Sequence, residues 1–426
     1  MKLNITLALL FLCFSSIANA LDIYEDKVHE DNIHTATLHP IGYPFATPII
    51  QMNTQDVLLL EFDELGEDVS DFRYVIVQCN YKWEPTNNSV FDFIDGFSDG
   101  YINNYDFSFN TTVDYVHYQM TIPNEDFRIT QSGNYVVVVF RDSESEPSLV
   151  KRFMVADSKV QIQNPAVAIT RNPSLRDQLQ EILFSLDHEG FNIVNPFQEI
   201  TVVVRQNDRW DNAISDIKPL HIRENSLSFN YNLKIAFPPA KEYREFDIRS
   251  LRYRTERVRA IDVRDSINIV YLMPDGMRQL EEYRYEGDGD LNGKFLIDVQ
   301  EGRNEDLEAD YVQVNFSLPF DNKISNGYFY VVGEFNNYEI SDKNKLKFND
   351  FHNAYEAKIL LKQGFYNYQY VFVPNDNPKV KDYTLTEGNY YDTENDYAIY
   401  VYYRSFGQRY DELIGFSFIN SRLNRY

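Results

Sequence analysis

Val312-Gln-Val-Asn-Phe316, Tyr328-Phe-Tyr-Val-Val332, Tyr355-Glu-Ala-Lys-Ile-Leu-Leu361, Tyr366-Asn-Tyr-Gln-Tyr-Val-Phe372 and the run from Tyr397 to Arg404 follow one another at turn-length spacings. Large apolar residues recur in them with a period close to two, which puts one face of an extended strand in a core, and each run is bounded by Asn, Asp, Gly or Pro. Five such runs predict a β-sandwich. The same pattern extends back through the chain: Val57 to Phe62, Tyr74 to Cys79, Tyr115 to Ile122, Tyr135 to Arg141 and Lys151 to Val155 read as strands of a first sandwich. Val136 to Val139 is β-branched without a break, as a strand buried on both faces requires. Between these groups, Gln178 to Asp187 fits a strand through Ile182, Phe184 and Leu186; with the turn Asp187 to Gly190 and the run Glu199 to Arg205 it reads as a hairpin. Further strands are expected at Ser226 to Ile235, Phe246 to Tyr253, Ala260 to Arg264 and Phe295 to Val299. The fold class is therefore all-β, a tandem array of antiparallel sandwiches of immunoglobulin-like or E-set-like type. Expected segments are 1–20 as a signal peptide, then sandwiches over 21–157, 158–304 and 305–426, with acidic Glu301 to Asp310 as a solvated linker.

Composition narrows the function classes. Across 426 residues, 40 Lys+Arg stand against 65 Asp+Glu, a formal net charge of -25; such a surface repels a polyanion, so nucleic acid is not an expected partner. Hydrophobic residues at 43% and aromatics at 15% are too abundant for a disordered chain. Lys2, the mostly apolar Ile5 to Phe14 and the small-x-small Ala18-Asn19-Ala20 form a cleavable export signal. Cys13 follows Leu12, where a lipobox needs a small residue, so acylation is not expected. Without that segment Cys79 is the sole cysteine, so no internal disulfide can form. No later stretch is apolar over eighteen residues, so no membrane-spanning helix is expected.

Few residues suggest chemistry. The seven histidines show neither i, i+4 nor HExxH spacing, and there is no GxSxG elbow, P-loop or dinucleotide fingerprint. No catalytic residue, metal or cofactor is expected. Asp288-Gly-Asp290-Leu-Asn292-Gly293 matches the first half of a calcium loop, but position 12 is Val299 and the flanks read as strands; a Gly-rich hairpin turn is the simpler reading. From Lys241 to Arg264 eight basic residues meet five acidic ones, a local +3 in an acidic chain. Arg249, Arg252, Arg254 and Arg257 are the candidate partner-binding residues of that stretch, with Arg252 and Arg254 on one face of a strand; pairing with the protein's own carboxylates is the alternative. Gly333 to Tyr338 and Tyr355 to Tyr370 are similar to the small glycogen-binding sandwiches that accompany starch enzymes, which makes Tyr338, Tyr366 and Tyr368 candidate sugar-stacking rings, although their alternation also suits a core.

Four segments together resemble the plug protein family of the type IX secretion system, once known only as a domain of unknown function. They are Asn195 to Glu199 continuing through Gln206-Asn-Asp-Arg-Trp210-Asp-Asn-Ala-Ile214 to Lys218-Pro219; Phe246-Asp-Ile-Arg-Ser-Leu-Arg-Tyr-Arg254; Gly364 to Tyr370; and Glu387 to Asn395 with Tyr402-Tyr403-Arg404. The resemblance implies a periplasmic, non-enzymatic protein that occludes the periplasmic mouth of a giant outer-membrane β-barrel translocon and is peripheral to that membrane through its protein partner. The alternative is a periplasmic or surface glycan-binding protein using the last sandwich. A contact with a polar rim and charge complementarity, instead of an obligate apolar interface, is expected of a plug that must also dissociate.

Overall fold

The computed structural model describes residues 24–279, 283 and 290–424, so the expected signal segment lies outside the described residues. Three sandwiches are present, and the chain does not pass through them in three consecutive thirds. The first is closed by residue 156. One of its sheets runs in the order Ile33–Pro40, Leu58–Leu65, Tyr115–Ile122, Asn104–Phe107. The other places Gly133–Phe140 between Arg73–Cys79 and Pro147–Ala156, with Asp99–Tyr101 at the edge. Leu58, Leu60 and Phe62 meet Tyr118, Ile122, Tyr135, Val137 and Val139 in its core, so the predicted alternation is what orients these strands.

Pro147–Ala156 does not end a sheet. Its last residue pairs with Leu413 in parallel, joining it to Glu412–Asn420, then Asp396–Tyr403, Ile200–Gln206 and Ile214–Ile217, in one sheet of ten strands shared by two sandwiches. The C-terminal strands therefore complete the middle sandwich, whose other sheet is Gln161–Ile169, Gln180–Asp187, Ser226–Ser228 and His221–Arg223. Gln180–Asp187 is the expected strand, but it does not form a hairpin with Ile200–Gln206: the one-turn helix Pro196–Glu199 carries the chain to the opposite sheet. The remaining sandwich draws Arg244–Asp247, Val258–Asp262, Asn268–Leu272 and Phe295–Ile297 together with Tyr311–Pro319, Gly327–Val332, Ala354–Lys362 and Gly364–Pro374. The expected border between residues 304 and 305 thus falls inside it. Alternation identifies a strand but carries no information about which sheet accepts it.

The unbroken β-branched run has a specific cause. Val137 and Val139 enter the first core, whereas Val136 and Val138 join Val203, Tyr400, Tyr402, Trp83 and Leu413 in a second apolar cluster behind the ten-stranded sheet. Burying each such side chain contributes roughly 1.5–3 kcal/mol, so this seam holds the first two sandwiches as one body. Among the described residues no helix is long and apolar enough to cross a membrane.

Candidate functional site

The outer face of the sheet Ile33–Pro40, Leu58–Leu65, Tyr115–Ile122 has the polar pattern of a solvated surface, yet it is covered. On Leu58–Leu65 the residues between Leu58, Leu60 and Phe62 are Leu59, Glu61 and Asp63; on Tyr115–Ile122 those between Val116, Tyr118 and Met120 are His117 and Gln119. Asp63 stands opposite His117 and Glu61 opposite Gln119 in the register, so these side chains share one face. The third sandwich sits over them, leaving a cavity of about 540 Å³ into which all three sandwiches project.

At one end of this cavity the polar groups form a chain of contacts. His117 Nδ1 lies 2.7 Å from Asp63 Oδ1, and Asp63 Oδ2 accepts from Lys362 Nζ at 2.7 Å and from the Tyr311 hydroxyl at 2.6 Å. Lys362 is 2% and Asp63 1% exposed, so an ion pair with almost no access to water ties the third sandwich to the first. Its lysine also donates to the carbonyl of Asp306 at 2.8 Å, and Tyr115 donates to the carbonyls of Asp306 and Ala309. The acidic stretch expected to be a free linker is therefore a docking segment: Asp310 accepts the backbone N–H of Val113 and the amide of Asn268. Glu61 lies between two imidazoles, 3.5 Å from His117 Nε2 and 3.4 Å from His39 Nε2. Burial pushes the Glu61 carboxyl up, but hydrogen bonds from His117 and His39 outweigh it and hold it at about 2. Burial alone would lower His117; its bonds to Asp63 and Glu61 raise it to about 9. For Asp306, burial and then the Glu61 charge act in the same direction and raise the carboxyl.

The other end is built by the loop after Ile200–Gln206. Arg205 is 3% exposed, lies over the Trp210 ring with 4.4 Å to its centroid, donates to the Tyr400 hydroxyl at 3.0 Å and pairs with Asp208 at 2.8 Å. Asp208 also takes Thr47 Oγ1 at 2.7 Å and Lys294 at 2.5 Å, which brings one residue of each sandwich to a single carboxylate. Arg209 forks onto Asp211 at 3.0 and 2.9 Å and covers the Tyr338 ring at 4.3 Å.

The sequence-predicted residues are placed differently from expectation. Tyr366 is 2%, Tyr368 0% and Tyr338 5% exposed. Tyr366 stacks on Phe246 and Phe295, Tyr368 donates to buried Asp275, and Tyr338 lies under Arg209, so none offers the free ring face that a pyranose needs. Their alternation is a core alternation. In the basic stretch the strand stops at Asp247, and Arg252 and Arg254 stand exposed on the loop that follows instead of on a strand face. Arg249 pairs with Asp247 and Asp298, and Arg257 with Asp275, so two of the four candidates serve the protein's own carboxylates. Of the calcium-like segment, Asp288 lies outside the described residues. Asn292 and Gly293 have φ of 52° and 88°, a turn in which both residues take the left-handed conformation that Asn-Gly favours. A Cβ on Gly293 would collide with Tyr338 and Tyr243. Glu61, Asp63, His117 and Lys362 were not singled out by sequence because they come from strands far apart; the one signal available was the polar phase of the Leu58–Leu65 and Tyr115–Ile122 alternation.

Residues 33–157 match the type 9 secretion system plug protein 1st domain. The chain is also similar to a hypothetical protein from Parabacteroides merdae whose crystal structure is known: 33% identity, 92% of this chain and 98% of that chain covered, TM-score 0.88. No curated protein matches.

Proposed function

The chain belongs to the type 9 secretion system plug protein family, and from that membership we propose that it is a non-enzymatic periplasmic plug that occludes the periplasmic mouth of the outer-membrane β-barrel translocon. The observation that carries the reading is the family match over residues 33–157, a unit that also carries several exposed aromatic residues. Phe91, Phe97, Tyr101, Tyr105, Phe107 and Phe109 are all more than 40% exposed there. Two of the strands involved, Asp99–Tyr101 and Asn104–Phe107, are sheet edges with open backbone groups. Exposed aromatic edges invite association, and a partner that covers them removes that liability. A body in which two sandwiches share a sheet and the third is tied on by buried ion pairs also suits steric blockage, because a plug must not deform when loaded. Arg252 and Arg254 supply a second, charged candidate contact.

The test is an affinity pull-down of the tagged protein from detergent-solubilised envelopes, with mass spectrometry of the eluate. Near-equal recovery of a very large outer-membrane barrel supports the plug reading, and a Phe107→Asp/Phe109→Asp double variant should lose it while remaining folded. Absence of any barrel, together with unchanged antibiotic entry in a strain lacking the gene, refutes it. Charge reversal at Arg252 and Arg254 in the same assay decides whether the basic loop takes part.

A further inference from the structure

We propose that the interface between the first and third sandwiches is a binding site for one divalent transition-metal ion of the zinc class, held by His117 Nε2, Glu61 and Asp306. The ligand atoms of these three residues all lie within 4.8 Å of one another. Around a tetrahedral zinc, with bonds near 2.0–2.1 Å, ligand atoms sit roughly 3.3–3.5 Å apart; the 3.5 Å between His117 Nε2 and a Glu61 oxygen already has that value. Asp306, the second residue of the one-turn helix Glu305–Glu308 at the cavity wall, would supply the third ligand after a side-chain rotation.

Three further features separate this cluster from a chance group of acids. First, His117 donates Nδ1–H to Asp63 at 2.7 Å, which turns Nε2 toward Glu61; the ion would take the place of the proton that Nε2 shares with Glu61 and of the Gln119 amide, 3.1 Å away. A carboxylate behind a histidine is the usual outer support of a metal-binding imidazole, and it orients the ring while raising its basicity. Second, the supporting carboxylate is itself anchored, by Lys362 and Tyr311. Third, three carboxylates, Glu61, Asp63 and Asp306, gather around one ammonium, Lys362, and the His117 imidazole, so a dication meets a surplus of acid. His39, 3.4 Å from the other oxygen of Glu61, would hold that carboxylate in place. The cavity gives the ion an entry path and room for a water in the fourth position.

Because Glu61 and His117 belong to the first sandwich and Asp306 to the third, the ion would act as a clamp between them. It adds a property to the plug reading without depending on it.

The experiment uses the mature full-length protein, stripped with chelator and then dialysed against Zn²⁺ or Co²⁺. One equivalent of zinc retained per chain, and a Co²⁺ visible absorption of four-coordinate intensity, are the expected results. Glu61→Gln and Asp306→Asn keep side-chain shape and should each weaken retention by about tenfold or more. His352→Ala, which removes an exposed His–Glu pair elsewhere, should leave it unchanged. Circular dichroism of each variant confirms that it is folded. No zinc retained at micromolar free metal, or retention that survives both ligand substitutions, overturns the proposal. Zinc binding and barrel capture are read separately, so failure of one leaves the other standing.

Discussion

Replacing Glu387 by Gln tests the charge network that holds the third sandwich. Glu387 is fully buried and accepts from Arg244 Nε at 3.1 Å, from Arg278 at 2.6 Å and from the backbone N–H of Tyr370 at 2.9 Å. Burial pushes its carboxyl up, and the charges of Arg278 and Arg244 hold it below the usual range instead. The amide keeps the shape and removes the charge, leaving Arg244, only 8% exposed, with Asp275 at 3.3 Å as its remaining charged partner beside the Gly276 carbonyl at 2.8 Å. Stranding one member of a buried pair costs about 3–5 kcal/mol, and the surviving Asp275 contact places the expected loss near the lower end, about 3 kcal/mol. At roughly 2–4 °C per kcal/mol for a unit of this size, the third sandwich should melt about 6–12 °C lower. Scanning calorimetry at pH 7 reads the shift, and hydrogen exchange in Gly364–Pro374 localises it. Arg244→Met added to Glu387→Gln should restore part of the loss, because the stranded charge is gone. A drop below about 2 °C, or no recovery in the double variant, would refute the reasoning.

Other consequences can be checked with the same methods. Asp208 is held at about 2, burial raising it and Arg205 and Lys294 lowering it further, against an unfolded value near 3.8. A depressed folded value contributes stability above the unfolded one and loses it as pH falls towards 2. Asp208→Asn should thus cost about 2 kcal/mol at pH 7 and almost nothing at pH 2, measured by urea titration at both. Arg205→Lys keeps the charge but loses the planar contact with Trp210 and the bond to Tyr400, so a loss of about 2 kcal/mol with altered Trp fluorescence is expected; an unchanged urea midpoint would contradict it. Lys362→Met should loosen the first sandwich from the third by stranding Asp63, seen as faster proteolysis near residues 301–310 while the other sandwiches stay protected. A chain ending at Arg404 lacks Glu412–Asn420 and should fail to form the middle sandwich, giving a proteolytic fragment that ends near residue 157.

Much of the strand content was legible because core alternation is a local signal. Tyr115–Ile122, Ala354–Lys362 and Asp396–Tyr403 lie within a residue or two of where alternation put them. Ile33–Pro40 is not legible, since its His and Thr residues face a polar interface and its apolar members are few; Gln161–Ile169 is interrupted by Pro165 and shows little alternation. Sheet membership was illegible for a different reason. The hydrogen bonds that take Asp396–Tyr403 into the middle sandwich join residues about two hundred positions apart, and nothing in either strand's own sequence encodes its partner. The same distance hid His39, Glu61, His117 and Asp306. The family pattern, in contrast, was carried by loop and turn segments such as Gln206 to Ile214, which build the cavity wall where all three sandwiches meet.

The place of Glu412–Asn420 in the ten-stranded sheet has a consequence for how the molecule is made. A chain that emerges with its N-terminus first can close the first sandwich once residue 157 is out, but Pro147–Ala156 then waits with an open edge for Glu412–Asn420, and Ile200–Gln206 for Asp396–Tyr403. Glu412–Asn420 closes the gap between Pro147–Ala156 and Asp396–Tyr403. A product cut short before residue 412 presents the edges of Pro147–Ala156 and Asp396–Tyr403 to proteases and to other chains. The topology thus works as a check on synthesis, because the two halves of the ten-stranded sheet are joined only after residue 412 has been made.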